Sequence, residues 1–197
     1  MSSTAVIGSD ERLTEEDRGL LLEVEIERFL REVEKRAYRI AAISIGDRDE
    51  AFDVVQDAMI SLTGRYTSRP SEEWRPLFYR ILNNRIRDWH RRRRVRDSVL
   101  RYFGGQADED ADPIALARDP AQTGPHDEAQ RDEAMAALER ALGELPARQR
   151  EAFMLRNFEG LDVAETAVAM RCSSGSVKTH FSRATHRLRE ILDEYYE

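Results

Sequence analysis

The sequence predicts an all-α protein: two small helical domains joined by a flexible acidic linker, the C-terminal one a helix-turn-helix. Three observations carry this. Apolar residues recur three and four apart through most of the 197 residues, and no run of any length alternates as a strand would. The stretch 104–126 collects Gly, Pro, Asp and Ala without one aromatic residue and interrupts that periodicity. Near the C-terminus a short helical pattern, a tight turn and a longer helix with a basic outer face follow one another. Domains are therefore expected at 15–103 and 127–197, with 1–14 a disordered tail of small and polar residues.

Each element has its own signal. From Glu15 a helical stripe of Ile26, Leu30, Val33, Ala37 and Ile40 runs to about Ile45-Gly46. Asp47 is expected to cap the next helix, with Glu50 completing a capping box. Phe52, Val55, Met59 and Leu62 are expected to face inward there, leaving Asp53, Gln56, Asp57 and Ser61 on other faces as far as Gly64. RYTSRPSEEW reads as a loop, and Pro76 places the start of the third helix around Trp74 or Arg75. Phe78, Ile81, Leu82, Ile86 and Trp89 are its packing residues, and Gly104-Gly105 closes the domain. Helicity returns near Asp127 with Met135, Leu138, Ala141 and Leu142 as the apolar face. Pro146 suits the first position of the next helix, which holds Phe153 and Met154 and breaks at Glu159-Gly160. Asp162 and Glu165 form a capping box for a short helix with Val163, Ala167 and Met170 on one face. Arg171-Cys172-Ser173 is the turn, Ser174 the cap of the last helix, and Val177, Phe181, Ala184, Leu188 and Ile191 its inward face.

Composition bounds the function. Hydrophobic residues make up 41% and charged residues 35%, the profile of a soluble helical protein. One cysteine excludes an internal disulfide framework and the common zinc patterns. No apolar run approaches membrane-spanning length and MSSTAVIGSDER lacks a leader's apolar core, so a cytoplasmic protein is expected, without membrane insertion. The net charge of −7 conceals opposite patches. Arg85, Arg87, Arg91 to Arg94, Arg96 and Arg101 crowd one span, whereas nine acids between Ala107 and Glu133 face only Arg118 and Arg131.

No catalytic constellation is present: the four histidines have no ligand spacing with Cys172, and there is no phosphate loop or nucleophile elbow. Neither enzyme activity nor a cofactor or metal is expected. Nucleic-acid binding is. The last helix leaves Ser176, Lys178, Thr179, His180, Ser182, Arg183, Arg187 and Arg189 outside its apolar face, with no acid between Lys178 and Arg189. A basic, hydrogen-bonding helix of this kind fits the DNA major groove. In the helix from Arg75 to Arg96, arginines and the amides Asn83 and Asn84 interleave with Trp74, Phe78, Tyr79 and Trp89. Cations that grip phosphates beside surfaces that stack on bases are what single-strand binders use, which singles out Trp74, Arg80, Asn83, Asn84, Arg87, Arg91 and Arg92.

Two such domains in this order resemble a bacterial sigma factor of the extracytoplasmic-function (ECF) class, which keeps only regions 2 and 4. GDRDEAFDVVQDAM is similar to region 2.2, implying that Asp53, Val54, Gln56 and Asp57 meet the clamp helices of the polymerase β′ subunit. LFYRILNNRIRDWHRRRR is similar to regions 2.3 and 2.4, where Arg80, Ile81, Asn84 and Asp88 keep the family spacing for opening the −10 element and capturing a flipped base. LPARQREAFMLRNFEGLDVAETAVAMRCSSGSVKTHFSRATHRLR follows region 4, including Gly175 and Val177, implying −35 recognition and contact with the β flap. The resemblance spans roughly 25 to 192. It departs at Leu77, where the family has tryptophan, at Asn83, at His180, where arginine is frequent, and in the loop TSRPSEEW.

The resemblance implies a promoter-specificity subunit that binds core RNA polymerase and promoter DNA, with an anti-sigma factor as a further partner and the acidic linker running through the polymerase cleft. Rival readings are separable. A dimeric helix-turn-helix regulator binds its operator tightly without polymerase; a nuclease or nucleotide hydrolase needs a metal or phosphate site; an adaptor has no use for the basic outer face of the last helix.

Overall fold

The computed structural model describes residues 14–102 and 125–196. The tail 1–13 and the stretch 103–124, which holds Gly104-Gly105 and nearly all of the expected acidic linker, lie outside the described residues. Seven helices are described, and no strand is found among the described residues: α1 (Glu15–Ile45), α2 (Arg48–Arg65), α3 (Ser71–Tyr102), α4 (Pro125–Glu144), α5 (Ala147–Asn157), α6 (Val163–Met170) and α7 (Ser174–Tyr196). α1 to α3 pack together as a first domain and α4 to α7 as a second.

Capping explains the ends of α1. The Thr14 hydroxyl accepts the Asp17 amide while the Asp17 carboxylate accepts the Thr14 amide, so two donors that the first turn leaves unpaired are satisfied together. At the other end Gly46 takes φ 76°, a left-handed conformation that costs glycine nothing, and its N–H closes on Ala42. Asp47 caps α2 as expected, accepting the Glu50 amide at 3.0 Å. Glu50 does not complete a box. Its carboxylate instead accepts the Trp89 indole N–H at 2.9 Å, because the donor of a buried side chain on α3 needs that partner more than an exposed helix start does.

The core face of α2 is rotated from the expected one. Ala51, Val54, Val55, Ala58 and Leu62 are buried, Met59 is half-buried, and Phe52 is 49% exposed. Small residues let α2 lie close to α1 and α3, and Phe52 is too bulky for that contact. α3 begins at Ser71 rather than at Trp74, with Pro76 inside its second turn. Only one helical hydrogen bond is lost to the proline, and aromatic burial holds the turn. Trp74 is 1% exposed, donates its Nε1–H to Arg69 at 3.0 Å, and stands 5.9 Å from the Phe29 ring. Phe29 meets Phe78 edge-on at 6.1 Å, and Phe78 meets Tyr79 at 5.2 Å.

In the second domain α4 starts at Pro125 and buries Ala137, Ala141 and Leu142, whereas Met135 is 41% exposed. Pro146 stands one position ahead of α5 as its cap residue. Asp162 and Glu165 form the capping box of α6. Arg171 ends α6 at φ 53°, a conformation non-glycine residues rarely take, and its N–H bonds back to Val168. Ser173, not Ser174, caps α7: its hydroxyl accepts the Ser176 amide at 3.1 Å. Val177, Ala184, Leu188 and Ile191 are buried along α7, while Phe181 is half-buried and stacks on Phe153 at 6.1 Å.

The rotation of α2 sets a stability contrast. Leu62→Ala should cost about 2–5 kcal/mol, the range for truncating a fully buried leucine, and Phe52→Ala under about 1 kcal/mol. Urea unfolding of both variants measures the difference; equal losses would show that Phe52 belongs to the core.

Candidate nucleic-acid and protein interfaces

Asp53, Gln56 and Asp57 stand on the exposed side of α2, with Asp57 3.8 Å from Arg85, whose guanidinium also donates to the Ser61 hydroxyl. Val54 does not join them. It is 5% exposed and belongs to the core, one helical step from the outward strip. Phe52 and the 68% exposed Ile60 take its place beside Gln56 and Asp53. Periodicity alone did not separate Phe52 from the core, because it sits next to the true apolar face.

On α3, Arg80, Asn84, Arg87 and Arg91 recur four, three and four residues apart and share one face. Arg87 donates to the Asn84 side-chain oxygen at 2.6 Å, and its other nitrogen lies 4.0 Å from Glu151 of α5. Arg91 pairs with Asp88 at 3.1 Å. Asn84, Arg87 and Arg91 of this face line an open cleft of about 1330 Å³ whose far wall is Ala147, Arg150 and Arg171 of the second domain. The cleft also holds Arg93, Arg94 and His90. Partial burial lowers the His90 pKa, its ring nitrogen lying 2.9 Å from the Ser44 carbonyl oxygen. Arg92 points elsewhere, toward Glu50, Trp89 and Arg96.

Two expected members of the α3 surface are corrected by burial. Trp74 lies in the aromatic core, and Asn83 is 6% exposed with its amide nitrogen unpartnered. Both fall on the buried side of a helix whose outer stripe begins at Arg80. Interleaving of aromatic and basic residues along the chain thus translated into opposite faces rather than one mixed surface.

The outer side of α7 is open. Lys178, Thr179, Ser182 and Arg183 are exposed, His180 and Ser176 are half-exposed, and the Thr179 hydroxyl donates to Gly175 at 3.0 Å. Thr179, Ser182, Arg183 and His186 run down the middle of this face, opposite Val177, Ala184 and Leu188. His186 was not singled out from the sequence; its position one turn past Arg183 was the available signal. Arg187 lies toward the edge and pairs with Glu190 at 3.2 Å, and His186 approaches the same carboxylate at 3.4 Å.

The two domains touch, chiefly α6 against α3. Arg39 of α1 donates to Glu139 of α4 at 2.8 and 3.1 Å and covers the Phe158 ring at 5.3 Å. Glu159, between α5 and α6, is buried 3.5 Å from Arg36 of α1. Glu151 is 9% exposed and held by Arg148 at 3.0 Å. Burial raises the pKa of both carboxyls. Among the described residues no group of His, Cys, Asp or Glu could hold a metal ion, and no helix is long and apolar enough to cross a membrane.

Comparison with known proteins agrees with this geometry. Residues 26–96 match the family model of sigma-70 region 2, and residues 135–188 that of sigma-70 region 4. The chain is 31% identical to the RNA polymerase sigma factor NccH of Alcaligenes xylosoxydans xylosoxydans, over 80% of this chain and 81% of that protein. It is 28% identical to the ECF RNA polymerase sigma factor SigM of Mycobacterium tuberculosis, over 84% and 76%. Its fold is similar to that of RpoE from Bartonella quintana, solved in complex with the anti-sigma factor NepR. That match has 27% identity, a TM-score of 0.54 and coverage of 85% and 98%. CnrH, solved in complex with the cytosolic domain of CnrY, shares the fold at 22% identity, with a TM-score of 0.52 and coverage of 89% and 96%. The chain belongs to the ECF class of RNA polymerase sigma factors, with region 2 in its first domain and region 4 in its second.

Proposed function

We propose that this sigma subunit divides promoter work between its domains: residues 15–103 dock on core polymerase and open the −10 element, and 127–197 read the −35 duplex. The observation that carries the reading is the coexistence, on separate helices, of an acidic-apolar docking strip on α2 and two cationic faces on α3 and α7. Cations supply most nucleic-acid affinity and base edges supply specificity, so one basic helix alone serves neither need fully. No chemical step is required of the chain. A run-off transcription assay with purified core polymerase tests the whole: promoter-dependent transcripts are expected, and tight operator binding without polymerase would favour the dimeric regulator instead. An anti-sigma factor is a fitting further partner, since the similar RpoE structure contains one.

On α2, Phe52, Asp53, Gln56, Asp57 and Ile60 form the proposed contact with the β′ clamp helices. Asp57→Arg and Ile60→Ala should keep the fold by circular dichroism and lower retention on core polymerase by roughly tenfold or more. Unchanged retention of both folded variants would remove the assignment.

On α3, Arg80 and Asn84 are the proposed partners of exposed bases, with Arg87 and Arg91 on the adjoining phosphates. Alanine at Arg80 or Asn84 should leave closed complexes intact and reduce permanganate-reactive thymines near the start site. A pre-melted template should rescue the loss, whereas equal defects on duplex and bubble would point to docking or folding.

On α7, Lys178, Thr179, His180, Ser182 and Arg183 are the proposed base readers, because the first turns of a recognition helix meet base edges. Arg187, already shared with Glu190, belongs to the phosphates. In selection from a randomised −35 library, Lys178→Ala, His180→Ala and Arg183→Ala should each relax one position at a cost of about 1–3 kcal/mol. Arg187→Ala should lower yield on all sequences alike. A consensus shifted by Arg187→Ala alone would reverse the helix in the groove.

A further inference from the structure

We infer that Glu159, buried between the two domains with neither carboxylate oxygen hydrogen-bonded, biases the free chain toward parting them, and that neutralising it shuts the seam over Asn84 and Arg87. Its surroundings come from the first domain. Arg36 and Glu32 reach it from α1, Tyr79 and Arg75 from α3. The Glu159 side chain is 0% exposed, whereas that of Arg36 is 39% and that of Arg75 29% exposed. Both arginines are also engaged by Glu32, which accepts a hydrogen bond from Arg75 and one from Arg36 at 3.4 Å. Glu159 is left with Arg36 at 3.5 Å and with the buried Tyr79 hydroxyl beside it, a donor that eases its charge without closing a well-formed hydrogen bond.

When the domains part, the arginines keep water and Glu32, so they lose little. Glu159 regains a full hydration shell. A buried carboxylate with imperfect partners is worth less than the same group in water, so its charge opposes the contact. The apolar packing of α6 on α3 and the Arg39–Glu139 pair hold the seam the other way. Glu151 adds to the opposition less, since Arg148 of its own helix accompanies it after separation. The raised pKa of Glu159 has the matching sign: the closed form binds the proton more tightly, so closing is favoured as pH falls toward the ordinary carboxyl value of 4.5 and is opposed above the raised pKa.

Closure affects the two DNA faces unequally. Asn84 and Arg87 are half-buried across from Ala147, Arg150 and Arg171, whereas Lys178, Thr179, Ser182 and Arg183 stay exposed. The seam therefore withholds the α3 face and spares α7. This consequence rests on the proposed −10 role of α3; the bias itself does not.

The test uses the full chain with Cys172→Ser and dye-labelled cysteines introduced at Ile60 and Glu144, both exposed and both off the α3 and α7 faces. Glu159→Gln should raise the closed-to-open ratio by about five- to a hundredfold, the range for relieving one buried unsatisfied polar group. The change reads as higher energy transfer or, where the closed form already dominates, as a matching fall in affinity for a single-stranded −10 oligonucleotide. Affinity for −35 duplex should not change. Arg36→Ala strips Glu159 of its ion-pair partner at 3.5 Å and should act oppositely, lowering transfer and raising oligonucleotide affinity. If both variants open the chain, Glu159 is a simple ion-pair latch and the inference falls. It falls as well if Glu159→Gln moves neither readout. A rise in transfer with unchanged oligonucleotide affinity would uphold the bias and sink the DNA role of Asn84 and Arg87.

Discussion

α3 has to satisfy three sets of neighbours with one cylinder, and the rest of the structure is arranged around how its faces are shared out. One face is spent on Trp74, Phe78, Leu82 and Trp89, which anchor the first domain against α1 and α2. A second receives α6 of the other domain. The third, Arg80-Asn84-Arg87-Arg91, is the face proposed for nucleic acid and borders the second. Because successive side chains on a helix step around by a fixed angle, enlarging any one of these faces narrows the others. Trp74 and Asn83 are lost to the DNA surface for that reason.

Charge follows the same division. Excess arginine on α3 faces Arg150 and Arg171 across the cleft, yet the two domains meet, because the second also brings Glu139, Glu151 and Glu159 to Arg39, Arg87 and Arg36. These pairs differ in quality. Arg39 and Glu139 share two short hydrogen bonds, while Glu159 is dry and has none. A contact assembled from one good pair and one poor one is specific in geometry without being strong.

α7 is simpler. Its apolar stripe and its polar face are opposed, nothing from the first domain competes for the outer side, and Lys178, Thr179, Ser182 and Arg183 stay in water. Its one internal brake is Glu190, which holds Arg187 and His186 at the far end and leaves the first turns free.

The all-helical class, the order of the helices, the caps at Asp47, Asp162 and Glu165 and the two sigma regions were written in local signals, which act over three to seven residues and need no neighbour. The exposed outer face of α7 was legible on the same terms, since a strong apolar stripe leaves its complement in solvent. The faces of α2 and α3 were not. Whether Phe52 or Val54 turns inward depends on how closely α1 and α3 approach, and small residues won that contact. Trp74 reads as a base-stacking residue until Arg69 and Phe29 are found around it. Ser173 caps one residue ahead of Ser174 by a local bond to the Ser176 amide, and α3 ran through Pro76 because aromatic burial outweighed the one hydrogen bond the proline removes. The isolation of Glu159 lay furthest from the sequence. It exists only where two domains remote in the chain close on one side chain, and no spacing along the chain records that.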